Sequence, residues 1–408
     1  MSSEYDVSII IINFNGKRFI DALFRSLQEM RTEGIRHEII VVNNGNDDHS
    51  IEYLRENYGQ MEQLKIVDAG GNLGYAGGNN AGVRQAQGEY VVFLNNDTAV
   101  DKNWLVSLHS FIRKNPSCGM ANSKLLFFYD FVTLRFHTTD KIVLSKSVKM
   151  NGTEYTVENR FCKNLLYETD RLVCFGHTEI SLPLFFGCCD MGIECFCMES
   201  SGPQDTLLCC GREVPAESSR TISVRLEGSD IRQNRYSLVQ NAGNAINENY
   251  DGYDIGFGER DSDTYSRPYE LAGGCGASII MPRKDFEACG GFDERFFMYY
   301  EDMDLSFRLR KLGKTILFCP ESVVRHIHTG SSGEGSPFFC YQVSRNKLLF
   351  LLKHVSGAKF AYYLIRQLLA AIKSRNRYQL QGCVDAFQTG ILKRNVQFAD
   401  RYGNGNKK

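Results

Sequence analysis

Four apolar runs in the first hundred residues each end on polar side chains, and the segments between them have helical spacing. This alternation limits the fold more than any other feature of the chain. Residues 7–13 form a continuous apolar run closing on Asn13, which predicts a parallel strand buried on both faces. Residues 38–42, 64–67 and 90–94 predict three more strands, and residues 17–30, 79–86 and 103–113 predict helices. Strands joined by helices of this length imply an α/β fold, a Rossmann-like, doubly wound and mostly parallel sheet. Ligands of such sheets bind beyond the carboxyl ends of the strands. The polar residues gather there: Asn13 and Asn15, Asn43 and Asn44, Asn72, and the triplet Asn95, Asn96 and Asp97. Asparagine is also a common turn residue, so the weight lies in four strand ends with the same chemistry.

The pattern breaks near Phe128 and resumes near Leu238. Between them, short segments rich in Val, Thr, Phe and Cys are separated by Gly, Asp, Ser and Pro, which predicts an inserted antiparallel β-domain, sandwich-like. Strands are expected again at 278–281, 315–319 and 323–328, with helices at 283–289 and 302–312. Beyond Arg345, Leu348, Leu349, Leu352, Leu364, Leu368 and Leu369 have helical spacing, with Lys353, Lys359, Arg366 and Lys373 among them. The expected divisions are 1–128, 129–236 (the insertion), 237–344, and a basic amphipathic helical region at 345–408.

The 408 residues are 43% hydrophobic and 23% charged, which excludes a disordered or collagen-like chain. The net charge of −1 conceals an asymmetry: residues 345–408 hold 13 Lys and Arg against 2 Asp and Glu. A basic tail on an acidic body points to an anionic partner, and peripheral contact with a membrane surface is the expectation. Helices packed on the domain are the plainer alternative. No nucleic-acid-binding signature is present. Fourteen cysteines without paired C-x-x-C spacing argue for buried free thiols in a reducing compartment. No signal peptide and no spanning segment are expected, so the chain is read as cytoplasmic, at the inner face of the membrane where its acceptor is lipid-linked.

Three constellations carry chemistry. The stretch NLGYAGGNNAG at 72–82 reads as a glycine-rich turn opening a helix, whose N–H groups suit a phosphate; Asn72, Gly74, Gly78 and Asn79 are the candidate contacts. It is neither a dinucleotide fingerprint nor a Walker loop. Asp97, at a strand end, can hold a hard divalent cation; taken alone, it reads more readily as an Asx-turn capping the next helix. Glu301 and Asp302 follow the aromatic loop GGFDERFFMYY at 290–300. They can serve the helix dipole, or one of them can act as a general base. His326 and His328 alternate along an expected strand, so both point to one face as possible metal ligands.

Together these stretches resemble the family 2 glycosyltransferases of the GT-A fold, over roughly residues 5–125 and 238–355. The similarity is greatest to rhamnosyltransferases of bacterial type, continuing through 330–337 and Arg345-Asn346. The resemblance implies that Asp97 binds Mn²⁺ or Mg²⁺ on the donor diphosphate, that His326 and His328 contact the metal, and that Asp302 is the catalytic base with Glu301 beside it. It implies that Asn13, Asn15, Asn43, Asn72, Gly74, Gly78, Asn79, Asn95 and Asn96 line the donor site. Asn43 stands where the family usually has an Asp that reads the nucleobase, and Asn95 replaces the first Asp of the D-x-D-like motif. The implied activity is inverting transfer of a sugar, rhamnose among the candidates, from a dTDP- or UDP-linked donor to a hydroxyl of a glycan or lipid-linked acceptor, in polysaccharide or cell-envelope synthesis. The competing reading is a non-catalytic carbohydrate-binding or scaffold protein on a decayed domain of the same fold.

Overall fold

The computed structural model describes residues 4–185, 187–327, 335–391 and 396–402, with only the backbone of 401 and 402. The chain divides into two units. One comprises Met1–Phe128, Gln240–Phe257 and Ser262–Lys408; the other comprises Tyr129–Val239 and Gly258–Asp261.

The first unit is α/β. Its leading elements are β1 (Tyr5–Asn13), α1 (Ile20–Glu29), β2 (His37–Asn43), α2 (Ser50–Tyr58), β3 (Leu64–Asp68), α3 (Gly74–Val83), β4 (Gly88–Asn95), β5 (Thr98–Val100), α4 (Trp104–Lys114) and β6 (Cys118–Phe127). The sheet runs β3, β2, β1, β4, Ser278–Pro282, β6, Thr315–His326, β5. The first four strands are mutually parallel. Ser278–Pro282 is antiparallel to both β4 and β6. Thr315–His326 is parallel to β6 and antiparallel to β5. Val7, Ile9, Ile10, Ile39, Ile40, Val91 and Val92 are fully buried, as expected of strands covered on both faces. Each such side chain contributes about 1.5–3 kcal/mol of apolar burial.

Two sequence expectations are corrected here. The helix expected at 79–86 begins at Gly74, so the glycine-rich stretch is itself helical. Its glycines serve contact: a Cβ on Gly82 would lie 2.4 Å from the Ile10 side chain and 3.1 Å from that of Val42. Without side chains on that face, α3 lies directly against β1 and β2. The two strands expected at 315–319 and 323–328 are one strand, Thr315–His326, with a register irregularity between Cys319 and Val323. His328 lies outside the described residues.

In the second unit, a 20-residue strand, Phe131–Met150, pairs with Arg171–Pro183, Met191–Ser200, Thr206–Cys209 and Thr153–Thr156. All eight strands form one hydrogen-bonded sheet rather than two separate ones. Inward residues such as Leu134, Leu144, Ile180, Ile193 and Val224 form its core. All fourteen cysteines are free. Burial pushes the Cys174 and Cys195 thiols up to about 12, so they pack as small apolar side chains. No group of three or more His, Cys, Asp or Glu among the described residues is placed to hold a metal.

Four helices among the described residues follow the α/β sheet: Pro337–His354, Gly357–Lys373, Arg377–Gly390 and the short Phe398–Tyr402. Ser336 caps the first by accepting from Phe339 N–H, and Pro337 occupies the position where a missing N–H costs nothing. Leu348, Leu351, Ala371, Cys383 and Ala386 are buried between the helices. No described helix is long and apolar enough to cross a membrane.

Candidate active site

Parallel pairing in register brings the polar strand ends into one row. Asn13 lies opposite Asn43, Asn43 opposite Asp68, and Ile12 opposite Asn95. One loop residue, Asn46, ties the first strand ends together. Its Oδ1 accepts from Asn13 Nδ2 at 3.0 Å and from Asn15 N–H at 2.7 Å, while its Nδ2 donates to Asn43 Oδ1. Asn13 is 3% exposed, so it braces the row; its Oδ1 accepts from Asn96 Nδ2 at 3.1 Å. Asn15 has a left-handed φ of 49°, which asparagine tolerates, and is exposed with Asp68 and Asn72. Asp68 adds a carboxylate, its Oδ1 3.5 Å from Asn43 Nδ2.

The members of the glycine-rich stretch part company. Asn72 is exposed, and its Oδ1 accepts from Gly74 N–H at 3.0 Å. Gly78 is buried against Ile12 and Asn44, and Asn79 is 1% exposed with its Nδ2 donating to Tyr75 O at 3.1 Å. Gly74, at φ +68°, fits under the aromatic loop: a Cβ there would lie 2.5 Å from Phe297 O. Ala76 N–H donates to that same carbonyl, and Asn80 exchanges two 2.9 Å hydrogen bonds with the Phe292 backbone. The start of α3 is thereby docked on the loop that leads to Glu301.

At the end of β4 the chain turns into β5, whose antiparallel pairing sets Thr98 opposite His326. Asp97 Oδ1 lies 3.1 Å from His326 Nε2, and both residues are buried. Asn95 Nδ2 is 3.3 Å from the same nitrogen. The other ring nitrogen, Nδ1, is 2.9 Å from Gln240 Oε1. An amide oxygen can only accept, so Nδ1 carries a proton, and in the neutral ring Nε2 keeps its lone pair beside the carboxylate.

Glu301 and Asp302 open the helix Glu301–Lys311. Asp302 Oδ2 accepts from Gly276 N–H at 3.1 Å and from Asn244 Nδ2 at 3.3 Å; Oδ1 accepts from Met303 N–H at 2.7 Å. Glu301 is buried, and its Oε2 has no hydrogen-bond partner among the described residues. Burial raises both carboxyls above the ordinary range, Glu301 the further, because the charge of Asp302 adds to its burial. With donors on one side chain and an orphaned oxygen on the other, the pair keeps its proton on Glu301 and its negative charge on Asp302. Burial first, and the neighbouring Glu301 and Asp302 carboxyls after it, push the Tyr75 hydroxyl well up, and it donates to Gly276 O.

The stretch 274–277 joins the two clusters. Gly276 N–H rests on Asp302, while Ala277 O accepts from Asn95 N–H at 3.0 Å. The stretch thereby links Asp302 to Asn95, whose Nδ2 lies 3.3 Å from His326 Nε2. Asn46, Asp68, Gln240 and Asn244 are site residues that motif reading does not single out. Asp68 alone had a signal, being the polar end of the third parallel strand.

The aromatic loop is held from behind. Phe297, Tyr299 and Tyr300 have φ of 64°, 73° and 70°, which side chains other than glycine rarely adopt. Asn346 Nδ2 lies 2.7 Å from Phe296 O, 2.7 Å from Met298 O and 2.8 Å from Tyr299 O. Arg345 Nη1 donates to Arg295 O at 2.8 Å. Lys353 reaches Asp293 and the fully buried Asp304, and His354 Nε2 lies 2.7 Å from Asp304 Oδ1. Asn346→Ala is expected to cost about 1–3 kcal/mol, the loss of a buried polar partner, and to speed hydrogen exchange at 297–300. Unchanged melting and exchange would remove Asn346 as the brace.

Residues 8–166 match the family model described as "Glycosyl transferase family 2". An uncharacterized glycosyltransferase of Haemophilus influenzae is 28% identical over 161 residues, 40% of this chain and 45% of that protein. N-acetylglucosaminyl-diphospho-decaprenol L-rhamnosyltransferase of Mycobacterium tuberculosis is 36% identical over 87 residues, 21% of this chain and 27% of that protein. The chain thus spans less than half the length of these relatives. A crystal structure of GalNAc-T7 with UDP, GalNAc and Mn²⁺ aligns with 92% of this chain and 58% of its own, at 13% identity and a TM-score of 0.49, too low to carry an argument. The family match takes in the row of strand ends and Asp97, and stops short of Gln240, Glu301, Asp302 and His326. Over that row, the chain is similar to glycosyl transferase family 2.

Proposed function

We propose that the chain is a nucleotide-sugar-dependent glycosyltransferase that inverts the configuration of the sugar it moves. The observation that carries this reading is the hydrogen-bonded link from Asp302 through 274–277 to Asn95, whose side chain touches His326 beside Asp97. The donor's nucleoside would lie over Asn15, Asn43, Asp68 and Asn72. The Asn43 amide and the Asp68 carboxylate offer a donor and acceptors to a pyrimidine edge, which favours a dTDP- or UDP-linked sugar. The name of the mycobacterial relative puts rhamnose first among the sugars and a lipid-linked glycan first among the acceptors.

Asp97 and His326 fit a divalent cation. A carboxylate oxygen and a ring nitrogen stand 3.1 Å apart, and Gln240 fixes the ring by its far nitrogen. The imidazole favours Mn²⁺ over Mg²⁺. Two protein ligands are the usual share where diphosphate oxygens and water complete the shell. When bound, the cation supplies charge compensation to the diphosphate. The chain's own residues do the rest. Asp302 takes the acceptor hydroxyl's proton as that oxygen attacks the anomeric carbon, and the nucleoside diphosphate leaves from the opposite face. Glu301 stays protonated beside it.

A panel of UDP-, dTDP- and GDP-sugars with Mn²⁺ tests the reading by thermal shift. A bound donor raises stability by mass action, about 2.7 kcal/mol at a hundred times its Kd. A pyrimidine donor is expected to raise the melting point, and release of its nucleoside diphosphate should follow. Binding without release would leave a non-catalytic binding protein; no shift with any donor would overturn the proposal.

A further inference from the structure

The helix Gly357–Lys373 presents its apolar side outward. Tyr362 is 58% exposed, Ile365 58%, Leu369 61% and Ile372 60%. Spacings of three and four residues put these four on one face. The other face is used: Ala371 is buried, Phe360, Leu364 and Leu368 pack with it, and Tyr363 donates to Glu248 O. The exposed stripe is therefore not a missing piece of the core. Lys359, Arg366 and Lys373 recur every seven residues and form a rail along its edge, all three exposed. The helix contains no Asp or Glu. Its 17 residues span about 25 Å, and it is not apolar enough to cross a bilayer.

We infer that this helix lies flat on an anionic lipid surface, its stripe among the acyl chains and its rail at the headgroups. An apolar face with a cationic edge is the arrangement that such a surface binds. A second copy of the chain is a poorer occupant, because pairing the faces sets two rails of like charge together. Leu380 (40%), Val384 (44%) and Ile391 (58%), on Arg377–Gly390 and just past its end, are exposed as well. The inference does not depend on the reading of the active site.

The full-length chain is mixed with vesicles of phosphatidylcholine alone, and of phosphatidylcholine and phosphatidylglycerol in equal parts, and sedimented. Binding is expected to the mixed vesicles and to weaken as salt rises. Lys359→Gln with Lys373→Gln should weaken it roughly 25-fold, about fivefold per charge. Ile365→Glu with Leu369→Glu should abolish it while leaving the melting point and nucleoside diphosphate release unchanged, since both positions are exposed. No binding to mixed vesicles, or equal binding to both kinds, overturns the inference. So does a dimer in sedimentation velocity that the Glu variants dissolve, which would assign the face to a second copy. Loss of sugar transfer with vesicle binding intact would count against the site alone.

Discussion

Asp302→Asn is expected to lower sugar transfer by about 10²- to 10⁴-fold, the usual contribution of a positioned proton acceptor. Donor affinity should stay within about threefold, because Asp302 is not among the residues assigned to the donor or to the cation. The amide cannot take the acceptor's proton, yet it keeps the shape of the carboxylate. Equal losses in transfer and in donor binding would assign Asp302 a structural role. The pH dependence supplies a second readout. Burial raises the Asp302 carboxyl above its ordinary value, so the acid limb of kcat/KM should lie above the usual carboxylate range of about 4. The sign for stability is the reverse. A carboxyl with a raised folded value binds its proton more tightly in the native state, so its stabilisation is full at low pH. That stabilisation declines as pH climbs from the unfolded value towards the folded one. Melting curves across this window should show the wild type losing stability relative to Asp302→Asn. Parallel curves would mean that the carboxyl titrates normally.

The second large effect belongs to Asp97. Asp97→Ala removes the carboxylate 3.1 Å from His326 Nε2 and leaves one protein ligand for a cation. Donor affinity in Mn²⁺ is expected to fall by more than about 100-fold, beyond the 10- to 100-fold typical of residues that only orient a ligand. Gln240→Ala, which frees the far ring nitrogen, should fall within that lower range. Titration calorimetry of the donor with and without Mn²⁺ checks both. The variant's deficit should vanish in chelator, where the wild type binds no better than Asp97→Ala. A deficit of the same size without metal would place Asp97 in the fold rather than at a cation.

Residues that pack in a repeating pattern were legible before the structure; residues chosen for one contact were not. β1, β2, β3 and β4 follow from apolar runs, because strands of this sheet bury mostly apolar side chains; the buried Ser8 and Glu38 are hydrogen-bonded to each other. The glycine-rich stretch misleads for a physical reason. Glycine usually marks a turn, and here Gly82 is small because Ile10 lies where its Cβ would be. The strand Thr315–His326 reads as two because the polar break at Pro320-Glu321-Ser322 is a bulge in a continuing strand. Asp97, Asp302 and His326 are visible as motif residues. Gln240 and Asn244 are not, since a single amide in a three-residue strand has no pattern, and only the folded chain sets it beside an imidazole or a carboxylate. The tail's charge is plain in the sequence, whereas the outward turn of Ile365 and Leu369 is not, because periodicity gives a face without saying which way it looks.

Asn346 holds three carbonyls of the segment that delivers Glu301 and Asp302, and it lies some forty residues further along the chain. During synthesis, every side chain assigned to the donor, the cation and the proton therefore emerges from the ribosome before the residue that sets the last of them in place. Competence arrives late, and a nascent chain halted upstream of Asn346 carries the whole chemical inventory with no means of using it.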